Sequence, residues 1–187
     1  MPLRIISGSL KGRRLAAVRG QQTRPTADRV RESLFSILGQ RASQTAVLDL
    51  FAGTGALGLE ALSRGATQAV FVDKADQAVA VLQKNIQHCN VQDRTRIIRW
   101  DIEKNLNCLK IFPQVFGLVF MDPPYGQRLI KPALRHLSAC GCMASGALLV
   151  IETSKVETLA ELPADWLCDD VRTYGNTRLW FLNPNVA

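Results

Sequence analysis

No apolar run in this chain reaches the roughly 18 residues that a membrane-spanning helix needs. The N-terminus also lacks the hydrophobic region of a secretory signal, so a cytoplasmic location is expected. Histidine is scarce, with only His88 and His136. The five cysteines (Cys89, Cys108, Cys140, Cys142, Cys168) form an odd set without a C-x-x-C pair. They read as small buried residues or free thiols rather than a disulfide framework. His136 and Cys140 stand i, i+4 on an expected helix beside Cys140-Gly141-Cys142, but further ligands are missing and no metal is expected. There is no P-loop, no Ser-His-Asp order, no internal repeat, no linker and no low-complexity segment. Membrane proteins, disulfide scaffolds, metal sites and triad hydrolases are thereby set aside.

What is present is an ordinary globular composition over 187 residues, enough for one domain with a proper core. The net charge of +7 is concentrated in one place. Between Met1 and Arg31 stand eight basic residues (Arg4, Lys11, Arg13, Arg14, Arg19, Arg24, Arg29, Arg31) against Asp28 alone. The remainder of the chain is neutral. A neutral domain carrying a basic arm suits a polyanionic partner, and nucleic acid is favoured over a merely solvated face.

The organising stretch is Val47-Leu48-Asp49-Leu50-Phe51-Ala52-Gly53-Thr54-Gly55-Ala56-Leu57-Gly58-Leu59-Glu60-Ala61-Leu62. A short apolar run reads as a buried parallel strand, a glycine turn follows, and helical spacing resumes at Ala56, Leu59 and Leu62. Strand, turn and helix in this order offer free backbone N–H groups to a nucleotide-like ligand. Gly53, Gly55 and Gly58 fit G-x-G-x-x-G, and Asp73 ends the next apolar run about 20 residues on. A dinucleotide and S-adenosylmethionine both satisfy this pattern, and a turn without ligand remains the plain structural alternative.

Strands are expected at 46–51, 69–73, 96–100, 118–122 and 147–151, and helices at 56–64, 75–89, 129–138 and 156–161. The alternation predicts a parallel α/β sheet covered on both faces, with Gly65 closing the first of these helices. Residues 166–174 and 177–182, separated by Gly175-Asn176, read as an antiparallel hairpin. That ending is unusual for a nicotinamide-binding domain, and the order of elements is similar to class I methyltransferases. In the arm, Arg4–Ser7 and Arg14–Val18 predict a hairpin with Lys11, Arg13 and Arg14 near its tip. Thr26 is placed to cap a helix whose Val30, Leu34, Ile37 and Leu38 share one face. Residues 1–41 are thus expected to form a basic hairpin and helix, and 42–187 the α/β domain.

Asp122-Pro123-Pro124-Tyr125 ends the apolar run 118–121, at the carboxyl edge where ligands of such sheets bind. Two prolines hold the chain extended without offering N–H donors, leaving the Pro123 carbonyl and the Asp122 carboxylate as acceptors. Acceptors without donors select an exocyclic amine, and Tyr125 supplies a face on which a flipped base can stack. The electrophile that suits such an amine is the methyl of S-adenosylmethionine.

The tetrapeptide resembles the signature of methyltransferases acting on exocyclic nitrogens of nucleobases. Arg4-Ile5-Ile6-Ser7-Gly8, Lys11-Gly12-Arg13-Arg14-Leu15 and Thr23-Arg24-Pro25-Thr26-Ala27-Asp28-Arg29-Val30-Arg31-Glu32 extend the likeness nearly end to end. The whole resembles the bacterial 16S ribosomal RNA guanine-N2 methyltransferase family, with Thr54 where that family is expected to carry Ser. The resemblance implies a Rossmann-like class I sheet and methylation of N2 of guanine 966 in 16S rRNA. The implied partner is that rRNA or the small-subunit particle. It implies Asp49, Gly53 and Gly55 at the amino-acid end of S-adenosylmethionine, Asp73 on its ribose and Asp101 by its adenine. Asp122, Pro123 and Tyr125 would receive the target base. Lys11, Arg13, Arg14, Arg24 and Arg29 would contact RNA, with Arg24 and Thr26 at the crevice rim. A DNA adenine-N6 or cytosine-N4 methyltransferase is the nearest rival, although no segment is long enough for a DNA target-recognition domain. A non-catalytic nucleic-acid-binding module and a nicotinamide oxidoreductase complete the alternatives.

Overall fold

The computed structural model describes residues 3–18, 25–112, 115–159 and 162–185, with the backbone alone for 25–27. Seven strands form one sheet: β1 (Ala46–Leu50), β2 (Gln68–Asp73), β3 (Thr95–Arg99), β4 (Phe116–Met121), β5 (Met143–Ser154), β6 (Trp166–Tyr174) and β7 (Thr177–Pro184). Their spatial order is β3-β2-β1-β4-β5-β7-β6. The first five are parallel, and β7 runs antiparallel between β5 and β6. This is the expected Rossmann-like sheet with an antiparallel hairpin at its end. Strand order reverses between β1 and β4, so the ends of these two strands flank the crevice.

All five residues of β1 are buried, which is why its sequence is an apolar run rather than an alternation. Its two faces feed different cores. Val47, Phe71, Phe120 and Val150 pack beneath α1 (Pro25–Leu38), α2 (Ala56–Ser63) and α3 (Asp76–Cys89). Leu48, Val72, Met121 and Ile151 pack against α4 (Ile130–Cys140) and the β3–β4 connection. Among the described residues no helix is long and apolar enough to cross a membrane, and no cluster of three metal-ligating side chains occurs.

The arm pairs with itself more loosely than two strands would. An isolated antiparallel bridge joins Arg4 and Arg14, flanked by Ile5 N–H to Arg13 O at 3.0 Å and Leu15 N–H to Leu3 O at 2.8 Å. Leu3, Ile5, Leu10 and Leu15 are buried in the same core as Leu34 and Phe35 of α1 and Leu59 of α2. Polar groups complete the docking. Glu60, fully buried, accepts Ile6 N–H at 2.7 Å and Ser7 N–H at 3.0 Å, and Ser63 O accepts Ser9 N–H at 2.8 Å.

Two local expectations are corrected. α1 begins at Pro25, so Thr26 lies inside the first turn instead of capping it; proline at the first helical position loses no hydrogen bond. The helix expected at 156–161 does not form over its described residues, where a turn at 155–156 runs into irregular chain. Glu157 draws that segment back, accepting Gly126 N–H at 2.8 Å and Ser154 N–H at 3.3 Å. A six-residue helix has too few internal bonds to oppose this.

Candidate active site

The carboxyl ends of β1, β2, β3 and β4 bring together the predicted site residues of the α/β domain. β1 ends in a turn in which Phe51, Gly53 and Gly55 all have positive φ, at 58°, 54° and 77°. For Phe51 this left-handed conformation carries an intrinsic cost of about 1–2 kcal/mol, so the surrounding structure enforces the turn. Asp49 is 2% exposed and accepts the Gly58 N–H at 2.9 Å, tying the strand to the first turn of α2. A Cβ at Gly58 would collide with the Phe71 ring and crowd Asp49, so glycine there permits the close strand–helix approach. Burial pushes the Asp49 carboxyl up to about 8, against the pull of the Gly58 hydrogen bond.

Asp73, at the end of β2, reaches back to the turn. Its Oδ2 accepts Gly53 N–H at 2.8 Å and its Oδ1 accepts Ala75 N–H at 2.9 Å. Each oxygen keeps a further lone pair for a hydroxyl donor. Beyond it lies an open cleft of about 460 Å³ lined by Lys74, Arg99, Trp100, Asp101, Lys104 and Asn105. Asp101 stands 3.5 Å from Lys74 Nζ and accepts the Glu103 N–H at 3.2 Å. The donor and acceptor set fits an adenosine with ribose hydroxyls at Asp73.

Asp122 follows β4 directly, its N–H still bonded to Leu50 O at 3.4 Å. Pro123 is buried, whereas Asp122, Pro124 and Tyr125 reach solvent. The surrounding protein and the like charges of Glu152 and Asp49 raise the Asp122 carboxyl well above its ordinary range. Tyr125 donates its hydroxyl to Glu152 Oε1 at 3.0 Å. Burial, Glu152 and Asp122 together push the phenol above its usual value.

Glu152 is the residue that inspection of the motifs misses. Its signal is the period-two pattern of β5: Leu148 and Val150 face the α1–α3 core, so Glu152 faces the same way. The same parity holds for Asp49 after Val47 and for Asp122 after Leu118 and Phe120. Three carboxylates on neighbouring strands β1, β4 and β5 therefore share one face of the sheet. Burial pushes the Glu152 carboxyl up, while the Tyr125 hydrogen bond and the positive charge of Arg31 hold it down, and the push prevails.

Among the described residues, no cation of the arm is hydrogen-bonded to this cluster. Arg13 Nη1 donates to His88 O at 2.8 Å, at the carboxyl end of α3. His88 lies twelve residues from Asp76 at the site end of that helix, roughly 18 Å along its axis. Lys11, Arg14 and Arg29 are exposed, and Arg24 lies outside the described residues. Arg31 is buried instead, donating to Arg4 O and pairing with Asp28 at 3.0 Å and Glu60 at 3.9 Å. Asn85, also missed, is buried on α3; it donates to Ala16 O at 3.1 Å and Thr54 O at 2.9 Å. Arm and glycine turn thus meet on one side chain.

The chain is similar to known proteins along most of its length. YlbH of Bacillus subtilis (strain 168) is 36% identical over 175 residues, spanning 94% of this chain and 95% of YlbH. Ribosomal RNA small subunit methyltransferase D of Escherichia coli (strain K12) is 36% identical over 168 residues, spanning 88% of this chain and 81% of that protein. The solved structure of yhhF from Escherichia coli matches with a TM-score of 0.86 at 31% identity, covering 100% of both chains. Residues 3–183 match the family described as conserved hypothetical protein 95, and the chain belongs to that family.

Proposed function

We propose that this protein transfers the methyl group of S-adenosylmethionine to the exocyclic N2 of a guanine in 16S rRNA, at guanine 966 of the small subunit. The carrying observation is that Asp122-Pro123-Pro124-Tyr125 leaves β4 at the strand-order reversal, directly across from the glycine turn after β1. The relative named ribosomal RNA small subunit methyltransferase D supports the substrate class.

When bound, S-adenosylmethionine supplies an electrophilic methyl. Asp73 would hold the ribose hydroxyls with the lone pairs left after Gly53 and Ala75. Asp49 and the turn at Gly53 and Gly55 would hold the amino-acid end, and Asp101 would lie beside the adenine. On the substrate side, the Asp122 carboxylate and the Pro123 carbonyl accept the two N–H bonds of the target amine. Those bonds turn the nitrogen lone pair out of conjugation with the ring and towards the methyl. The raised Asp122 carboxyl is suited to take the proton that the nitrogen loses after transfer. Tyr125, fixed at its hydroxyl by Glu152, offers its ring to the flipped base.

The test is incubation of the purified protein with S-adenosylmethionine and unmodified 16S rRNA or small subunits, followed by nucleoside mass spectrometry. N2-methylguanosine mapping to guanine 966 is expected. Methyl transfer to DNA alone, or none to either RNA form, refutes the reading.

A further inference from the structure

Asp122 and Pro123 account for capture of an amine but not for the choice of base, because adenine, cytosine and guanine all present an exocyclic amino group. We propose that Glu152 makes this choice, by accepting the ring N1–H that guanine alone presents beside its target amine. The inference rests on the guanine reading above.

Register places Glu152 for this role. Phe120 pairs with Val150 and Met121 with Ile151, so Asp122 and Glu152 are the next neighbours across β4 and β5. Parallel strands lie about 4.8 Å apart, and both side chains leave the same face of the sheet. Two carboxylates side by side match two donors side by side, N2–H and N1–H, on the Watson–Crick edge of guanine. Adenine and cytosine place a ring-nitrogen lone pair next to the amine, which a carboxylate repels. Glu152 also has capacity to spare. Its Oε1 takes the Tyr125 hydroxyl at 3.0 Å, and Oε2 accepts no hydrogen bond among the described residues. An N1–H arriving at Oε2 supplies the partner that this half-buried carboxylate, crowded by Asp122, otherwise lacks. Arg31 on α1 contributes positive charge behind it.

The deciding variant is Glu152→Gln, which keeps an amide oxygen for the Tyr125 hydroxyl and puts an N–H donor where Oε2 stood. Single-turnover methylation is measured on two RNAs that differ only at the target, guanine in one and 2,6-diaminopurine in the other. Diaminopurine keeps the 2-amino group but carries a lone pair at N1. The parent protein prefers guanine; in Glu152→Gln the guanine-to-diaminopurine rate ratio falls by about tenfold or more, the worth of one charge-assisted hydrogen bond. Tyr125→Phe, which removes the hydroxyl alone, slows both RNAs by the same factor. A parent that methylates both RNAs alike overturns the inference. So does a Glu152→Gln protein that slows both equally, since that effect belongs to a residue that only steadies Tyr125. A shift of the ratio in Tyr125→Phe as large as in Glu152→Gln overturns it too. If the parent leaves the guanine RNA unmethylated, the guanine reading itself falls, and this inference with it.

Discussion

Replacing Glu60 by alanine tests how much the buried carboxylate contributes to holding the basic arm on the domain. The carboxylate has no exposed surface and accepts Ile6 N–H at 2.7 Å, Ser7 N–H at 3.0 Å and Arg64 Nε–H at 2.8 Å. Arg31 Nε lies 3.9 Å away and finds no other partner among the described residues. Glu60→Ala leaves the Ile6 and Ser7 N–H groups and Arg64 Nε without their acceptor, and leaves the buried Arg31 with Asp28 as its one carboxylate partner among the described residues. Breaking a buried pair in this way costs about 3–5 kcal/mol, a large share of the 5–15 kcal/mol typical of a domain. At roughly 2–4 °C per kcal/mol for a chain of this size, the melting temperature should fall by about 6–20 °C. Glu60→Gln keeps an acceptor for Ser7 and Arg64 but turns an amide donor towards Ile6 N–H. It should lose about 1–3 kcal/mol, the cost of one unsatisfied buried donor. Thermal melts followed by circular dichroism give both numbers, and hydrogen exchange at the Ile6 and Ser7 amides locates the loss. A Glu60→Ala protein melting within about 2 °C of the parent would show that the Glu60 contacts add little to the docking of the arm.

Asp122→Ala should lower the methyl-transfer turnover by orders of magnitude while cofactor affinity changes little, because its proposed partner is the target amine; near-normal turnover in a single-turnover assay would refute that geometry. Asp49 gives a pH dependence of definite sign. Its carboxyl, raised by burial to about 8, keeps in the folded state a proton that the unfolded chain releases above its ordinary carboxylate range. The stability it contributes is full below about pH 4 and is lost as pH rises towards 8. Asp49→Asn keeps the acceptor for Gly58 N–H and cannot titrate, so its melting temperature should decline less between about pH 5 and pH 8; equal declines refute the assignment. Replacing Lys11, Arg13 and Arg14 together by alanine should flatten the slope of log K against log salt for RNA by about 2 units, at roughly 0.7 per lost phosphate contact. An unchanged slope removes these residues from the RNA interface.

The central strands were legible because a buried parallel strand must be a short apolar run, and each such run here is followed closely by a glycine, a proline or an acid that punctuates it. The glycine turn and Asp122-Pro123-Pro124-Tyr125 were legible for the same reason, since their backbone demands restrict the residue types. The segment 156–161 misled because its helical composition competes with a contact that no local pattern announces, from Glu157 to Gly126 some 31 residues away. Glu152, Glu60 and Arg31 were silent for a related reason. A buried charge shows in sequence as an ordinary charge, and only the fold supplies the partner: Tyr125 for Glu152 at a separation of 27 residues, Ile6 for Glu60 at 54. The alternation along Leu148, Val150 and Glu152 did hold the needed signal, but reading it requires knowing which face of β5 meets α1.

α2 links the docked arm to the crevice. Its N-terminal end is the glycine turn, and its C-terminal end carries Glu60 and Ser63, which hold Ile6, Ser7 and Ser9 of the arm. Eight residues of helix, about 12 Å, separate the two ends. A helix is stiff over that length, so the arm and the turn keep a fixed separation. Asn85 closes the loop from the other side, with one amide nitrogen shared between Ala16 O and Thr54 O. Under the function proposed above, phosphate contacts made by exposed arm cations would act as a spacer, setting how far along an RNA the crevice falls without reading its bases. Sequence choice would then be left to the acceptors on β4 and β5. A rigid spacer and a base-reading crevice are separable by mutation, since the first depends on salt and the second on the hydrogen-bonding edge of a single nucleotide.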